Sequence, residues 1–222
     1  MTETTYTLYP VFRRGPGPAP ESPELDGAAQ EIENLFKSWD GRVVVRGTYS
    51  TAGFRADADV MWWLVADVVD DLQRAYVELR AAAAGASLEP RWTFLGVVRA
   101  AEFAPDHAPA FIKGEAPRRF ACVYPFVRTP EWYLLPPEDR GRLLAEHGEL
   151  GREYPDVLAN TTSAFALGDW EWILAFEADD PARLVDCIRR LRAAEARRYT
   201  GREIPFVTGI RKPVREALAD LA

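Results

Sequence analysis

Apolar and polar residues alternate at the start of the chain, in Thr5-Tyr6-Thr7-Leu8-Tyr9, which is the period of a strand with one face buried. The stretch GPGPAPESPE at 15–24 then interrupts regular structure and predicts a surface loop. Apolar positions at helical spacing fill 25–39, Val43-Val44-Val45 reads as a strand, and Gly47-Thr48 reads as a turn. The run Val60-Met61-Trp62-Trp63-Leu64-Val65 suits a buried strand, after which Leu72, Tyr76 and Leu79 mark a helix over 70–80. An extended stretch at 92–98 follows. The segment 104–117, broken by three prolines and a glycine, is irregular and carries His107.

The same order returns in the second half: a strand at 120–126, a helix at 138–150, strands near 157–165 and 170–176, a helix at 181–192 and a last strand near 204–208. Each half therefore reads β-α-β-β-α-β. Asp59-x-x-Trp62-x-Leu64 matches Asp169-x-x-Trp172-x-Leu174, and each is followed by an acidic turn and a helix carrying Leu72 or Leu184, so a duplication is expected. The expected fold class is α+β, with two ferredoxin-like repeats, 1–117 and 118–222, forming a dimeric α+β barrel within one chain. Such an interior can hold a flat apolar ligand, although a fold does not by itself establish function.

Composition narrows the classes of partner. With 48% hydrophobic and 27% charged residues the chain is of ordinary globular type, and its net charge of -7 opposes binding to nucleic acid or anionic lipid. The N-terminus lacks a basic start followed by an apolar stretch, and no apolar run approaches the roughly 20 residues that span a bilayer. A cytoplasmic protein without membrane insertion is expected. Cys122 and Cys187 lie far apart without a CxxC pair, so they signal neither zinc nor a disulfide framework. His107 and His147 are the two histidines, and imidazole chemistry near neutral pH must use one or both.

His147 stands near the end of an amphipathic helix, where it serves either as a cap that favours the helix C-terminus or as a metal ligand. Tyr124 precedes Pro125 and is thereby held extended, which suits a core aromatic or a strand end facing a cavity. His107 is either an exposed loop residue or a functional one. Arg128 and Arg192 are surface charges or carboxylate binders, and Trp132 is a packing aromatic or part of a ligand pocket.

The string Tyr124-Pro125-Phe126-x-Arg128-Thr129-x-x-Trp132-Tyr133-Leu134-Leu135-Pro136, followed by His147-Gly148-x-x-Gly151-Arg152-x-Tyr154, resembles the coproheme decarboxylases of the chlorite dismutase-like family. Ala159-Asn160-Thr161-Thr162, Phe165-Ala166-Leu167-Gly168-Asp169-x-Glu171-Trp172 and Ile204-Pro205-Phe206-x-Thr208-Gly209 extend the likeness. Arg46-Gly47-Thr48-Tyr49 and Arg55-Ala56-Asp57-Ala58-Asp59 carry it into the first half.

The resemblance implies that His147 is the proximal iron ligand, Tyr124 the oxidised residue, and His107 the distal histidine of the branch this chain is most similar to. Other branches place a glutamine, and true chlorite dismutases an arginine, at a position that falls on Ala159 counted back from Trp172 or on Asn160 counted on from His147. Neither count gives arginine, which argues against chlorite as substrate. Arg128 is implied near a propionate, Arg192 as an arginine near the pocket, and Trp132 as a pocket residue and side route for a radical.

The implied activity is removal of two propionates from iron-coproporphyrin III (coproheme), with hydrogen peroxide, to give heme b. The substrate would be its own redox cofactor. His107 would act as base toward peroxide, for which a reference pKa of about 6.5 is suited. A homopentamer, and transient contact with a ferrochelatase, are also implied. The competing expectations are a heme-binding or heme-transfer protein and a heme peroxidase of the same fold.

Overall fold

A computed structural model describes residues 4–16, 22–100, 102–103 and 108–221. By packing they fall into two units, one formed by the first 98 residues together with 207–222, the other by 99–206. The first contains β1 (Tyr6–Arg14), α1 (Ser22–Ser38), β2 (Val44–Arg55), β3 (Ala58–Ala66), α2 (Val69–Ala81), α3 (Ala83–Ala86) and β4 (Leu88–Val97). The second contains β5 (Phe120–Arg128), α4 (Pro130–Leu134), α5 (Pro137–Arg152), β6 (Leu158–Ser163), β7 (Trp172–Ala178), α6 (Pro181–Leu191), a 3-10 turn (Glu195–Tyr199) and β8 (Thr200–Arg202). The chain then returns to the first unit as β9 (Val207–Arg211) and α7 (Val214–Ala219).

In the first unit the strands run in the order β4-β1-β3-β2-β9. One face of this sheet carries Leu8, Phe12, Trp62 and Leu64 into a core shared with Leu25, Ile32, Leu72 and Leu79 of α1 and α2. Fully burying each such side chain contributes about 1.5–3 kcal/mol. Gly47-Thr48, read from sequence as a turn, instead lies inside β2 at a register shift between Val45 and Gly47. The glycine marks a bulge because a Cβ there would come within 2.8 Å of the Tyr49 ring.

In the second unit the pairings give the order β6-β7-β5-β8, all antiparallel. Asp180 opens α6 by accepting from the Ala182 N–H at 2.9 Å, with Pro181 in the first turn. The last strand begins at Val207 rather than 204, since Pro205 has no N–H to donate to a ladder. Because β9 pairs with β2 at Tyr49↔Arg211, the C-terminal stretch packs with the first unit, whereas the division by sequence order at 117/118 counts it in the second half. Among the described residues no helix is long and apolar enough to cross a membrane.

Candidate functional site

The duplication supplies an internal comparison for the second unit. In the first, Leu8 on β1 pairs with Leu64 on β3, and both are buried in the core under the helices. The matching pair in the second is Tyr124 on β5 with Leu174 on β7, and Thr161 on β6 continues the row. Side chains two apart on a strand share a face, so Cys122, Phe126, Trp172, Phe176, Ala159 and Ser163 lie on this face as well. Leu174 and Trp172, counterparts of the buried Leu64 and Trp62, are only half-buried, as are Thr161 and Phe126. The opposite face, with Val123, Ile173, Ala175 and Glu177, is fully packed. The first unit fills this space with side chains, and the second leaves room beside Tyr124.

Tyr124 is 7% exposed, and no hydrogen-bond partner for its hydroxyl is found among the described residues. The ring is buried, and a hydroxyl with no partner found among the described residues is left available to a ligand on the half-open face. Burial pushes the phenol well above its ordinary 10.0, reinforced by Cys122 and Glu203 and opposed by Arg192. Tyr124 therefore remains a neutral O–H at any working pH. Phe206 stacks on its ring at 4.2 Å between centroids, and Phe176 lies nearly parallel at 6.2 Å.

Arg128 closes the end of β5. Its backbone N–H donates to Glu171 Oε2 at 2.7 Å and its Nη1 to the Ala196 carbonyl at 3.0 Å. The guanidinium sits 4.2 Å above the Trp132 ring and 5.1 Å from that of Phe126, a cation-π arrangement that keeps it half-buried and fixed in direction. Burial lowers its pKa, while Tyr133, Glu171 and Glu203 act the other way. Trp132, 4% exposed, packs with Leu143 and Ala196, with Leu144 alongside. His147 lies one turn beyond Leu143 and Leu144 on α5, half-buried, so helical spacing carries it onto the same side as the Arg128–Trp132 pair. Glu146 beside it accepts from the Glu195 N–H at 3.1 Å and ties α5 to the 3-10 turn.

Arg192 follows α6 and is ion-paired to Glu203 Oε1, while Arg197 reaches Glu203 Oε2 at 2.8 Å. One carboxylate thus holds two guanidiniums, and of this cluster Glu203 and Arg192 act on the Tyr124 phenol in opposite directions. Sequence reasoning identified Arg192 but not Arg197 or Glu203, because their meeting depends on the fold-back through the 3-10 turn and β8. Phe206 was visible only as part of a motif, and its place on Tyr124 is a contact across 82 residues that no local pattern encodes.

His107 falls in 104–107, outside the described residues. The segment just after it is tightly held: the Ala110 N–H donates to the Ala159 carbonyl at 3.2 Å and the Phe111 N–H to Asn160 Oδ1 at 2.9 Å. Asn160 is 1% exposed and donates through Nδ2 to the Ala175 carbonyl at 3.0 Å and to Glu177 Oε1 at 3.1 Å, on the face away from Tyr124. Of the two positions counted for the family's glutamine or arginine, Ala159 shares the face of Tyr124 and Asn160 does not.

The geometry defines an α+β protein whose second unit carries a half-open aromatic face edged by arginines, with a phenol and an imidazole on its elements. The chain belongs to the chlorite dismutase family, whose model matches residues 26–212. It is 49% identical over 217 residues to a coproheme decarboxylase of Mycolicibacterium smegmatis, covering 97% of this chain and 94% of that protein. It is 27% identical over 198 residues to a coproheme decarboxylase of Thermus thermophilus, covering 84% and 78% respectively. The chlorite dismutase of Candidatus Nitrospira defluvii, solved with imidazole, shares the fold with a TM-score of 0.86 at 22% identity, over 98% of this chain and 94% of that one.

Proposed function

We propose that this protein is a hydrogen peroxide-dependent coproheme decarboxylase, converting two propionates of iron-coproporphyrin III to vinyl groups and releasing heme b. The observation that carries the reading is Tyr124, a nine-tenths-buried phenol without a partner among the described residues, on the half-open face of the second unit. The relatives named coproheme decarboxylase, one of them matched over nearly the whole chain, support it.

The residues fit a large apolar disc edged by carboxylates. Leu174, Phe126 and Trp172 offer apolar contact, and Trp132 backs the pocket at one edge. Arg128 and Arg192 suit carboxylates because a guanidinium can grip both oxygens. His147 would hold the iron through one imidazole nitrogen. Bound coproheme supplies the iron at which peroxide is reduced, so the substrate serves as its own redox cofactor.

His107 takes the first proton from peroxide and returns it to the leaving oxygen. Tyr124 then gives up its phenolic hydrogen as a proton and an electron. The phenoxyl recovers a hydrogen atom from the β-carbon of the nearest propionate. That carbon radical gives one electron to the second oxidising equivalent supplied by the peroxide as its carboxylate departs as carbon dioxide, which leaves a vinyl group. Each round consumes one propionate, one hydrogen peroxide and one proton, and yields one vinyl group, one carbon dioxide and two waters. Two rounds require the three-propionate intermediate to bring its second propionate to Tyr124. A heme carrier or a peroxidase toward external phenols is less favoured, since the relatives matched over most of the chain are named coproheme decarboxylase. A cytoplasmic homopentamer, receiving porphyrin through transient contact with a ferrochelatase, completes the reading.

Anaerobic reconstitution with ferric coproheme, followed by peroxide titration and mass detection, tests it. A three-propionate species and then heme b are expected. Coproheme that stays bound with four propionates intact through several equivalents of peroxide would overturn it.

A further inference from the structure

We propose that Phe206 is a positioning residue for the Tyr124 radical, its ring fixing the plane of the phenol so that the phenoxyl oxygen is aimed at the propionate β-carbon. The proposal rests on the reading of Tyr124 as the oxidised residue. Phe206 lies 4.2 Å from the Tyr124 ring with only 20° between the planes, close enough to restrict rotation about the Cβ–ring bond. Phe176, on the neighbouring strand, lies within 15° of the same plane at 6.2 Å. With no hydroxyl partner found among the described residues, ring packing takes over the orienting task a hydrogen bond would otherwise perform.

The segment that presents Phe206 is itself anchored. Three residues earlier, Glu203 is clamped between Arg192 and Arg197. Proline at 205 limits the intervening backbone. The chemical type of the ring matters as much as its place. Phenylalanine is far harder to oxidise than tyrosine, so the packed ring supports the radical without competing for it. A phenoxyl with no donor to its oxygen is also the form most reactive toward a C–H bond. The Ile204-Pro205-Phe206 motif thereby acquires a role in aiming the reaction.

The test uses the full chain loaded with ferric coproheme and mixed with hydrogen peroxide, comparing the parent, Phe206→Leu and Tyr124→Phe. Freeze-quenched samples are examined by electron paramagnetic resonance, where the splitting from the two Cβ protons reports the Cβ–ring dihedral angle. Quench-flow mass analysis follows the first decarboxylation. Phe206→Leu should still bind coproheme, should decarboxylate about 10²-fold more slowly, the scale of loss from a misaim of about 1 Å, and should give a shifted or broadened tyrosyl splitting. If the leucine variant does not fold, Phe206→Met, unbranched and closer in length, is read the same way. Parental rate and parental splitting would overturn the proposal while leaving Tyr124 in place. A slower rate with an unchanged splitting would also overturn it, reducing Phe206 to a wall of the pocket. If Tyr124→Phe makes heme b at the parental rate, the tyrosyl reading fails first and the proposal falls with it.

Discussion

At the scale of single residues, the difference between a packing tyrosine and a reactive one lies in what its hydroxyl meets. Tyr124→Phe removes an oxygen for which no partner is found among the described residues, so apo stability should change by less than about 1 kcal/mol. Coproheme should bind nearly as before, and carbon dioxide release should stop. Heme b appearing at the parental rate in mass spectra would refute the radical role. Burial also ties Tyr124 to alkaline stability. Its folded value lies above the 10.0 of a free phenol, so above that pH the unfolded chain sheds a proton that the native protein retains. The contribution is intact below the ordinary value and is lost as pH rises beyond it. Urea unfolding at about pH 9 and about pH 11 should show a smaller alkaline loss for Tyr124→Phe than for the parent; equal losses would assign the effect elsewhere. Pro125 made the extended setting of Tyr124 legible in the sequence. The surroundings of its hydroxyl were not, because they depend on which groups the other strands and α6 bring near.

At the scale of elements, most strands and the long helices were legible from period, since each buries one face and shows it in the spacing of Leu, Val and Trp, whereas β2 was read only at 43–45 because the bulge at Gly47 breaks its alternation. Short pieces such as α4, the 3-10 turn and β8 were not, because five or fewer residues cannot display a period. Nor was the reason for Asn160, a polar residue in a strand interior. Its carboxamide joins the segment after His107 to β6 and β7, and Glu177, which no solvent reaches, accepts from Asn160 and from the Arg118 N–H at 3.1 Å. Asn160→Ala would remove one hydrogen bond from the Phe111 N–H, one from the buried Glu177 carboxylate and one from the Ala175 carbonyl. A loss of about 2–4 kcal/mol is expected, which lowers Tm by roughly 5–15 °C for a chain of this size. Amide exchange should show Phe111 losing protection before the core of β7 does. A melting point within about 2 °C of the parent, with Phe111 still protected, would mean the network fastens nothing.

At the scale of the whole molecule, two copies of one β-α-β-β-α-β plan have taken different courses. The first buries Leu8, Trp62 and Leu64 under its helices, whereas the second sets Tyr124, Trp172 and Leu174 at the corresponding places and leaves that face half-open. The repeat itself was legible, because Asp59-x-x-Trp62-x-Leu64 and Asp169-x-x-Trp172-x-Leu174 keep the same spacing. The return of β9 to β2 was not, since a five-residue strand carries no mark of its partner. If the second unit holds the porphyrin, ligand binding should stabilise it by linkage. Coproheme at about 100 times its dissociation constant adds about 2.7 kcal/mol, or roughly 5–11 °C in Tm for a chain of this length. New amide protection should concentrate on β6, β7 and α5, the elements that carry Thr161, Leu174 and His147, while the core strands β1 and β3, already filled, should change little. His147→Ala removes the proposed iron ligand but leaves the apolar face and the arginines, so at equal ligand concentration its Tm gain should be smaller without vanishing. Resonance Raman spectra of the same variant should lose the iron-imidazole stretch. A retained stretch, or protection that falls mainly on β1 and β3, would move the porphyrin away from α5 and out of the second unit.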